Sequence, residues 1–456
     1  MKIYNNIRLL GLIIILITTL FSANSCKDED NASAPISIVN VYLEDLNSPV
    51  QDRLVTFARL GQTIRLEGSG FTGLKKIYIN GYDTYFNPVF VTDNNVIFSI
   101  SGKTPTMEAN ADERNTIRLV KDASSFMQTF TIKAALPEIT SISHTLPAAG
   151  DSITIYGSGL TEISQIVFPG DVVVSSNIIS DEKGTYCKVA VPAGLTEQGS
   201  IYVEGSNGGV YSPAYFNCNK CVILNFDGVG HHSSWGSTDG MITDSDLESG
   251  VVTGYPVASQ GLYCAHRPSR IASFGASKNR CSEVWTSGSD ATDNWRTYLT
   301  PYIPANTPVS DFAFQFDIYV PEVWNNTGFL KITIANDMNG GEWSKTCYNY
   351  VPWIVNGIQV PFKTQGWTTV TIPFSMFYAF SSTTTKYTFE DVIAYREAAS
   401  NKNFGIMFEN SDIKLSDITG KDTDATIFPS SVTSINVYTD NWRVVPLKPE
   451  KTYSDF

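Results

Sequence analysis

The chain has 456 residues, 42% hydrophobic and 12% aromatic, which supplies several packed domains and argues against a largely disordered protein. Its formal charge of −13 opposes the binding of nucleic acid and of acidic polysaccharides, but not of a neutral ligand. Short alternating runs rich in Thr, Val, Ile, Tyr and Phe predominate after the N-terminus, so the sequence predicts an all-β fold.

The N-terminal segment is predicted to be a secretion signal. Lys2 and Arg8 accompany an apolar run at residues 9–21, which is shorter than the roughly 20 residues that a membrane-spanning helix needs. Cys26 then follows small residues, and this pattern resembles the acylation site of bacterial lipoproteins. The resemblance implies that residues 1–25 are removed and that Cys26 becomes the acylated first residue.

An acidic run at residues 27–30 follows Cys26 directly. It resembles the surface-export signal of Bacteroidota lipoproteins, so residues 26–35 are expected to tether the protein to the outer face of the outer membrane. Loss of Lys2 and Arg8 with the signal takes the formal charge from −13 to −15. The alternative is an ordinary signal peptide followed by a chance cysteine.

The strongest internal pattern is a repeat. The segment GQTIRLEGSGF at residues 61–71 matches GDSITIYGSGL at residues 150–160 with a constant offset of 89 residues. This indicates one structural unit used twice. Alternating apolar positions predict a strand, and the Gly-Ser-Gly element allows the positive φ or bulged geometry of the following turn. No helical pattern follows, as a phosphate-binding loop would require.

These motifs resemble the IPT/TIG module, an immunoglobulin-like β-sandwich used mainly as a spacer or interaction domain. The resemblance covers residues 36–134 and 136–216, with short proline-containing connections at their ends. It implies two sandwiches in series that form a stalk.

A third region, residues 220–456, differs in composition because it holds all eight tryptophans, from Trp235 to Trp442. Apolar residues alternate from Phe312 to Val320 with Ala313, Gln315, Asp317 and Tyr319, which predicts a strand with one core face and one partly polar face. Similar runs continue to the C-terminus, so a jelly-roll sandwich is predicted. This region is expected to fold and to bind ligand by itself.

Tryptophans among short polar side chains are typical of sugar binding, because the C–H faces of a sugar ring stack on aromatic rings. Trp367 and Trp442 lie in strand patterns and are expected in the core. The remaining candidates lie where loops emerge, and burial as loop anchors is the alternative for them. The candidate glycan-contacting residues are Trp353, Tyr350, Trp343, Trp324, Trp295 and Trp285.

The third region resembles the C-terminal domain of the Bacteroidota surface glycan-binding proteins of the SGBP-B kind. It opens with VILNFDG at residues 222–228, closes with DNWRVVP at residues 440–446, and contains YVPW at residues 350–353. The resemblance implies an aromatic platform, supported most directly at Tyr350 and Trp353, that holds a β-glucan such as xyloglucan, mixed-linkage or β-1,3-glucan. It also implies an outer-membrane SusC/SusD-like transporter pair as neighbours.

Six cysteines remain after Cys26, and Cys218 and Cys221 have the spacing of metal ligands. Cys264 and Cys281 could complete a zinc site, but a local disulfide or buried thiols are the favoured interpretation.

No cofactor is predicted, apart from a possible structural calcium ion. Asp239, Asp244 and Asp246 offer hard oxygen ligands for such an ion. Solvated turns are the favoured alternative for these three residues.

Catalysis is not predicted. His231, His232 and His266 lie outside any metalloprotease motif, and no Gly-x-Ser-x-Gly element occurs. Two alternatives to a non-catalytic glycan-binding protein stay open: a glycoside hydrolase or lyase on the same jelly roll, and an adhesin that binds through the immunoglobulin-like modules.

Overall fold

A computed structural model describes residues 34–45, 50, 52–233, 241–252, 258–268, 282–335, 347–419 and 424–455. Within these ranges no helix is both long and apolar enough to cross a membrane. The chain divides between Leu136 and Pro137 into two compact units. Strands dominate both units, which confirms the predicted all-β fold.

The first unit contains one sandwich, here called the first sandwich. Its sheets have the strand orders β2-β1-β4-β7 and β6-β5-β8-β9, and β10 pairs in parallel with β3. Alternation on β4 turns Ile64 and Leu66 inward, where both are fully buried. The strands are β1 Ser37–Glu44, β2 Arg53–Leu54, β3 Phe57–Arg59, β4 Thr63–Ser69, β5 Lys76–Ile79, β6 Tyr82–Thr84, β7 Asn95–Ser99, β8 Thr116–Val120, β9 Ser125–Thr129 and β10 Thr131–Lys133.

The second unit begins with the second sandwich, whose sheets have the orders β11-β12-β16-β15 and β14-β13-β17-β18. Its core contains Ile153, Ile155 and Ile166, all fully buried. The strands are β11 Glu138–Ile142, β12 Ser152–Ser158, β13 Gln165–Phe168, β14 Val172–Val174, β15 Ile179–Ser180, β16 Tyr186–Ala190, β17 Tyr202–Gly205 and β18 Gly208–Tyr211.

The two sandwiches reproduce the sequence repeat strand by strand. β4 and β12 begin and end at positions that differ by 89 residues, as do β5 and β13. A Cβ atom on Gly68 would lie 1.9 Å from Ser37 O, and one on Gly157 would lie 1.8 Å from Glu138 O. The repeated glycines therefore allow the neighbouring strand to approach at the same point in both copies.

The remainder of the second unit, here called the third domain, packs a six-stranded sheet on a five-stranded sheet. The orders are β21-β22-β33-β24-β29, with β19 also on β33, and β20-β23-β30-β25-β26. The strands are β19 Val222–Leu224, β20 His232–Ser233, β21 Leu247–Val251, β22 Ala258–His266, β23 Glu283–Thr286, β24 Phe312–Tyr319, β25 Phe329–Thr333, β26 Cys347–Tyr350, β27 Ile354–Val355, β28 Ile358–Gln359, β29 Thr368–Pro373, β30 Gly405–Glu409, β31 Ile413–Lys414, β32 Ile427–Phe428 and β33 Val437–Pro446.

Helices are few and short in the described ranges. The α-helices are α1 Trp295–Tyr298, α2 Phe389–Ala398 and α3 Ser416–Thr419. Short 3-10 turns lie at Pro88–Phe90, Asn219–Cys221, Asp244–Asp246, Ala291–Asp293, Phe374–Met376 and Tyr378–Phe380.

Strand β24 is buried on both faces. Phe314, Phe316 and Ile318 point into the core between the two sheets, as the alternation predicts. On the outer face, Ala313 joins Val445 in the core of the second sandwich. The outer face of the six-stranded sheet is therefore covered in part by the second sandwich.

Polar contacts complete this junction. The segment at Ser143, His144 and Thr145 of the second sandwich crosses the outer face of the six-stranded sheet. Thr369 N donates to Ser143 O at 2.9 Å, and Arg443 Nη2 donates to Thr145 Oγ1 at 2.8 Å. These backbone and buried side-chain bonds fix the position of the second sandwich against the sheet.

The C-terminal segment ties the same two parts together. After β33 it returns to the second sandwich, where Ala214 N donates to Lys448 O at 3.0 Å and Glu450 N donates to Ser200 Oγ at 3.0 Å. The second sandwich and the third domain thus form one compact unit, which argues against the expectation that residues 220–456 fold alone.

Candidate functional site

Four of the six tryptophans in the described part of the third domain lie in the core between its sheets: Trp295, Trp324, Trp353 and Trp442. None of these four is more than 2% exposed. The expected core position of Trp442 is confirmed. The expectation that Trp295, Trp324 and Trp353 form an open platform is wrong, because a sugar cannot stack on an enclosed ring.

Trp324 and Trp353 anchor loops. Trp353 Nε1 donates to Gly328 O at 2.8 Å, and Trp324 Nε1 donates to Thr327 O. The Trp324 ring stacks on Phe408 with centroids 5.4 Å apart. Loop residues surround both tryptophans in the sequence, as predicted, but the loops turn the rings inward to close one end of the core.

Trp295 belongs to a buried cation–π contact. The guanidinium carbon of Arg396 lies 3.9 Å from the centre of the indole, and Arg396 Nη2 is 2.8 Å from Asp293 Oδ1. Both charged side chains are enclosed, and each neutralises the charge of the other in the interior. Trp295 therefore has a structural role.

Trp285 lies on the outer face of the five-stranded sheet. Its ring covers Gly405 of the neighbouring strand, where a Cβ atom would come within 2.4 Å of the indole. Its Nε1 donates to Glu283 Oε2 at 2.8 Å, and Met241 and Met407 pack beside it. The ring is nevertheless fully buried, so its predicted exposure is also wrong.

Tyr350 is half-buried and points toward the core between the sheets. Its ring meets Phe316 edge-on, with centroids 5.8 Å apart, and burial raises the pKa of its hydroxyl. The Tyr350 ring also meets Phe362 edge-on and stays partly exposed, so its contact with a glycan remains a prediction. Trp343 and Cys26 lie outside the described residues.

The predicted metal ligands have other roles. Cys218 and Cys221 form a disulfide, which confirms the local-disulfide interpretation. Asp246 accepts from Thr243 N at 2.9 Å in a capping box, and Asp244 Oδ1 lies 2.8 Å from His232 Nε2. Asp239 and Cys281 lie outside the described ranges, and within those ranges no group of three or more acidic, His or Cys side chains could hold a metal ion.

The remaining histidine candidates differ in exposure. His266 is fully buried, and burial lowers its pKa to about 4. The exposed His231 places Nδ1 3.1 Å from Asp290 Oδ1. His266 is therefore neutral near pH 7 and out of reach of a substrate.

The outer face of the six-stranded sheet carries an aromatic cluster beside the second sandwich. Tyr263, Tyr319 and Tyr438, here called the tyrosine cluster, are buried, and Trp367 packs against them while staying partly exposed. The assignment of Trp367 to the core is therefore wrong. The sequence did indicate an aromatic residue on this outer face, because Tyr319 continues the outward-facing series of β24.

The tyrosine cluster is tightly packed. The Tyr263 and Tyr438 rings meet edge-on with centroids 5.7 Å apart. Tyr263 Oη donates to Glu248 Oε2 at 3.0 Å, and burial raises the pKa of Tyr263 to about 12. Burial also raises the pKa of Tyr319, so the phenols of Tyr263 and Tyr319 are neutral near pH 7 and the cluster forms an uncharged, closely packed support for Trp367.

Comparison with known families gives one match over this region. Residues 216–446 match the family model described as "Surface glycan-binding protein B xyloglucan binding domain". The matched residues begin near β19 and end with β33, so they include both sheets of the third domain.

A curated protein is similar in sequence to about half of this chain. An IPT/TIG domain-containing protein of Bacteroides ovatus is 27% identical over 241 residues, which are 52% of this chain and 45% of the relative. The chain thus matches less than half the length of that curated relative.

Two solved structures cover nearly the whole chain. Surface glycan-binding protein PbSGBP-B of Prevotella bryantii is 19% identical with a TM-score of 0.62, over 91% of this chain and 99% of its own. An SGBP-B from a complex xyloglucan utilization locus in Bacteroides uniformis is 16% identical with a TM-score of 0.46, over 90% and 99%. The first similarity supports the all-β fold described above.

Proposed function

The protein belongs to the surface glycan-binding protein B family, because the family model matches residues 216–446, just over half of the chain. We propose that the protein captures a neutral polysaccharide at the cell surface without cleaving it. The observation that carries the proposal is the coincidence of the matched region with the third domain.

The proposed ligand is a neutral β-glucan such as xyloglucan, mixed-linkage glucan or β-1,3-glucan. The formal charge of −13 disfavours acidic polysaccharides, because such a ligand would approach against a like-signed field. The partly exposed aromatic rings of the third domain, Trp367 and Tyr350, suit the flat C–H faces of β-linked glucose rings. Xyloglucan is also the ligand named in the description of the matching family.

The protein is further proposed to be anchored through acylated Cys26 and to pass the glycan to an outer-membrane SusC/SusD-like transporter pair. The lipoprotein pattern at residues 1–30 supports the anchor. The proposed transporter pair rests on the resemblance to the family.

Affinity electrophoresis of residues 27–456 tests the proposal. Gels that contain xyloglucan, mixed-linkage glucan or a β-1,3-glucan should retard the protein, while an acidic pectin of similar length should not. Mobility unchanged in every neutral gel would contradict the proposed ligand class.

The two alternatives have distinct outcomes. A glycoside hydrolase would release new reducing ends on prolonged incubation with the bound glucan, whereas a binding protein releases none. An adhesin would bind host protein through the two immunoglobulin-like modules, residues 36–134 and 136–216, with no need of the third domain.

A further inference from the structure

Trp367 differs from the other tryptophans of the described ranges. Those five are at most 2% exposed: Trp285, Trp295, Trp324, Trp353 and Trp442. Trp367 is partly exposed and lies immediately before β29, on the outer face of the six-stranded sheet. In the described part of the family-matched region it is thus the tryptophan whose ring solvent can reach.

The ring is held in one orientation by buried neighbours. Its centroid is 5.4 Å from that of Tyr263, at an angle of 63°, and 6.0 Å from that of Tyr319. Tyr319 in turn lies 6.4 Å from Tyr438. A ligand that stacks on a ring already fixed by its surroundings loses less conformational entropy than one that must order a mobile side chain.

The backbone that carries the ring is also fixed. Thr368 Oγ1 donates to Ser143 O at 2.6 Å, and Thr369 N donates to the same oxygen at 2.9 Å. Both bonds reach across to the second sandwich. The position of Trp367 therefore depends on the junction between the second sandwich and the third domain.

The indole N–H lacks a partner. Trp367 Nε1 is shielded from solvent and makes no hydrogen bond in the described part of the chain. Nε1 of the core residues Trp295 and Trp442 lacks a partner in the same way. A nitrogen that is closed off from solvent is equally closed off from a sugar hydroxyl, so only the remaining exposed part of the Trp367 ring is available to a ligand.

We propose that Trp367 is the stacking residue for one sugar ring of the bound polysaccharide, with its ring held in place by the buried tyrosine cluster beneath it. The inference rests on the proposed function and adds the contact residue to it. A β-linked pyranose suits this position, because its equatorial hydroxyls leave a flat C–H face that can stack on the indole.

Calorimetric titration with xyloglucan and mixed-linkage glucan tests the proposal. The proteins compared, each comprising residues 27–456, are the parent, Trp367→Ala, Trp367→Phe and the core control Trp353→Phe. Removing a ring that the sugar covers should weaken binding roughly ten-fold or more in Trp367→Ala. Trp367→Phe should retain part of the affinity, and Trp353→Phe should bind as the parent does.

An NMR titration covers the case in which Trp367→Ala fails to fold. The indole N–H signal that disappears in Trp367→Phe belongs to Trp367, and it should shift when the glucan is added while the Trp353 signal stays in place. An unmoved Trp367 signal in a protein that binds the glucan would overturn this inference and leave the proposed function intact. Absence of glucan binding by the parent protein would overturn both.

Discussion

Arg443 Nη2 lies 2.9 Å from Asp317 Oδ1 on the outer face of the six-stranded sheet, and both side chains are closed off from solvent by the second sandwich. His144 of that sandwich places Nε2 3.3 Å from the other carboxylate oxygen. A charge pair on the outer face of a sandwich is usually exposed to water. Here it forms the centre of a junction between two folded parts.

Removal of one partner should destabilise the second unit strongly. Arg443→Met leaves the buried Asp317 carboxylate with His144 and the hydrogen bonds of Thr369 and Asn441 but without its guanidinium partner. Loss of one partner of a buried ion pair costs about 3–5 kcal/mol. Urea unfolding monitored by circular dichroism measures the loss. The exposed pair between Lys75 and Asp122, at 3.3 Å, provides the control, because Lys75→Met should leave the unfolding curve nearly unchanged.

The same pair should make the protein sensitive to acid. Burial alone would raise the pKa of Asp317, but Arg443 and His144 hold it well below its usual range. Its stabilising contribution is therefore complete above the unfolded-state pKa of about 3.9 and is lost as the pH falls below that value. The free energy of unfolding should be larger for the parent than for Asp317→Asn at pH 6, and the two values should converge toward pH 2.

Asp440 should show the opposite dependence. Burial and the nearby Asp317 carboxylate raise the pKa of Asp440 well above its usual range. A raised carboxyl pKa destabilises the fold progressively as the pH rises above about 3.9. Asp440→Asn should therefore be at least as stable as the parent at pH 7 and have no advantage at pH 3. Denaturant midpoints at both values check this, and a large loss at pH 7 would contradict it.

The junction between the second sandwich and the third domain also predicts which fragments of the chain are stable. Residues 137–456 should unfold in one transition at the melting temperature of the second unit in the full chain. Residues 220–456 should melt lower and be cleaved faster by protease, because Ala313 and Val445 lose the core of the second sandwich. Equal melting temperatures for the two fragments would show that the junction adds no stability.

Trp353 should matter for folding. Its ring fills the core between the sheets, and Phe428 meets it edge-on with centroids 6.1 Å apart. Trp353→Ala should cost about 3–5 kcal/mol through the cavity that it leaves. Trp353→Phe should cost less, because a ring still fills most of that space. Denaturant unfolding of both variants tests the prediction.

Cys26→Ala should abolish acylation and remove the protein from the cell surface. Neutral residues at positions 27–30 should keep the lipid but reduce surface exposure. Labelling of intact cells, with metabolic incorporation of a fatty-acid probe, separates the two effects. Full surface labelling of the Cys26→Ala protein would disprove the anchor.

The all-β fold class and the internal repeat could both be predicted from the amino-acid sequence. Strand alternation and the positions of glycines are local properties of the sequence. The 89-residue offset between Gly68 and Gly157 therefore reappears in the bounds of β4 and β12. The core face of β24 was predictable for the same reason, since Phe314 and Phe316 differ in position by the period of a strand.

The solvent exposure of the aromatic rings and the burial of the charged side chains could not be predicted, because both depend on tertiary packing. Trp353 lies in a loop, as its neighbours indicate, yet that loop closes over the core, while Trp367 beside a strand is carried to an outer face. The alternation placed Asp317 on the outer face of its sheet, but only the packing of the second sandwich enclosed it with Arg443. Burial depends on what packs against a residue from distant parts of the chain, and neither local composition nor periodicity contains that information.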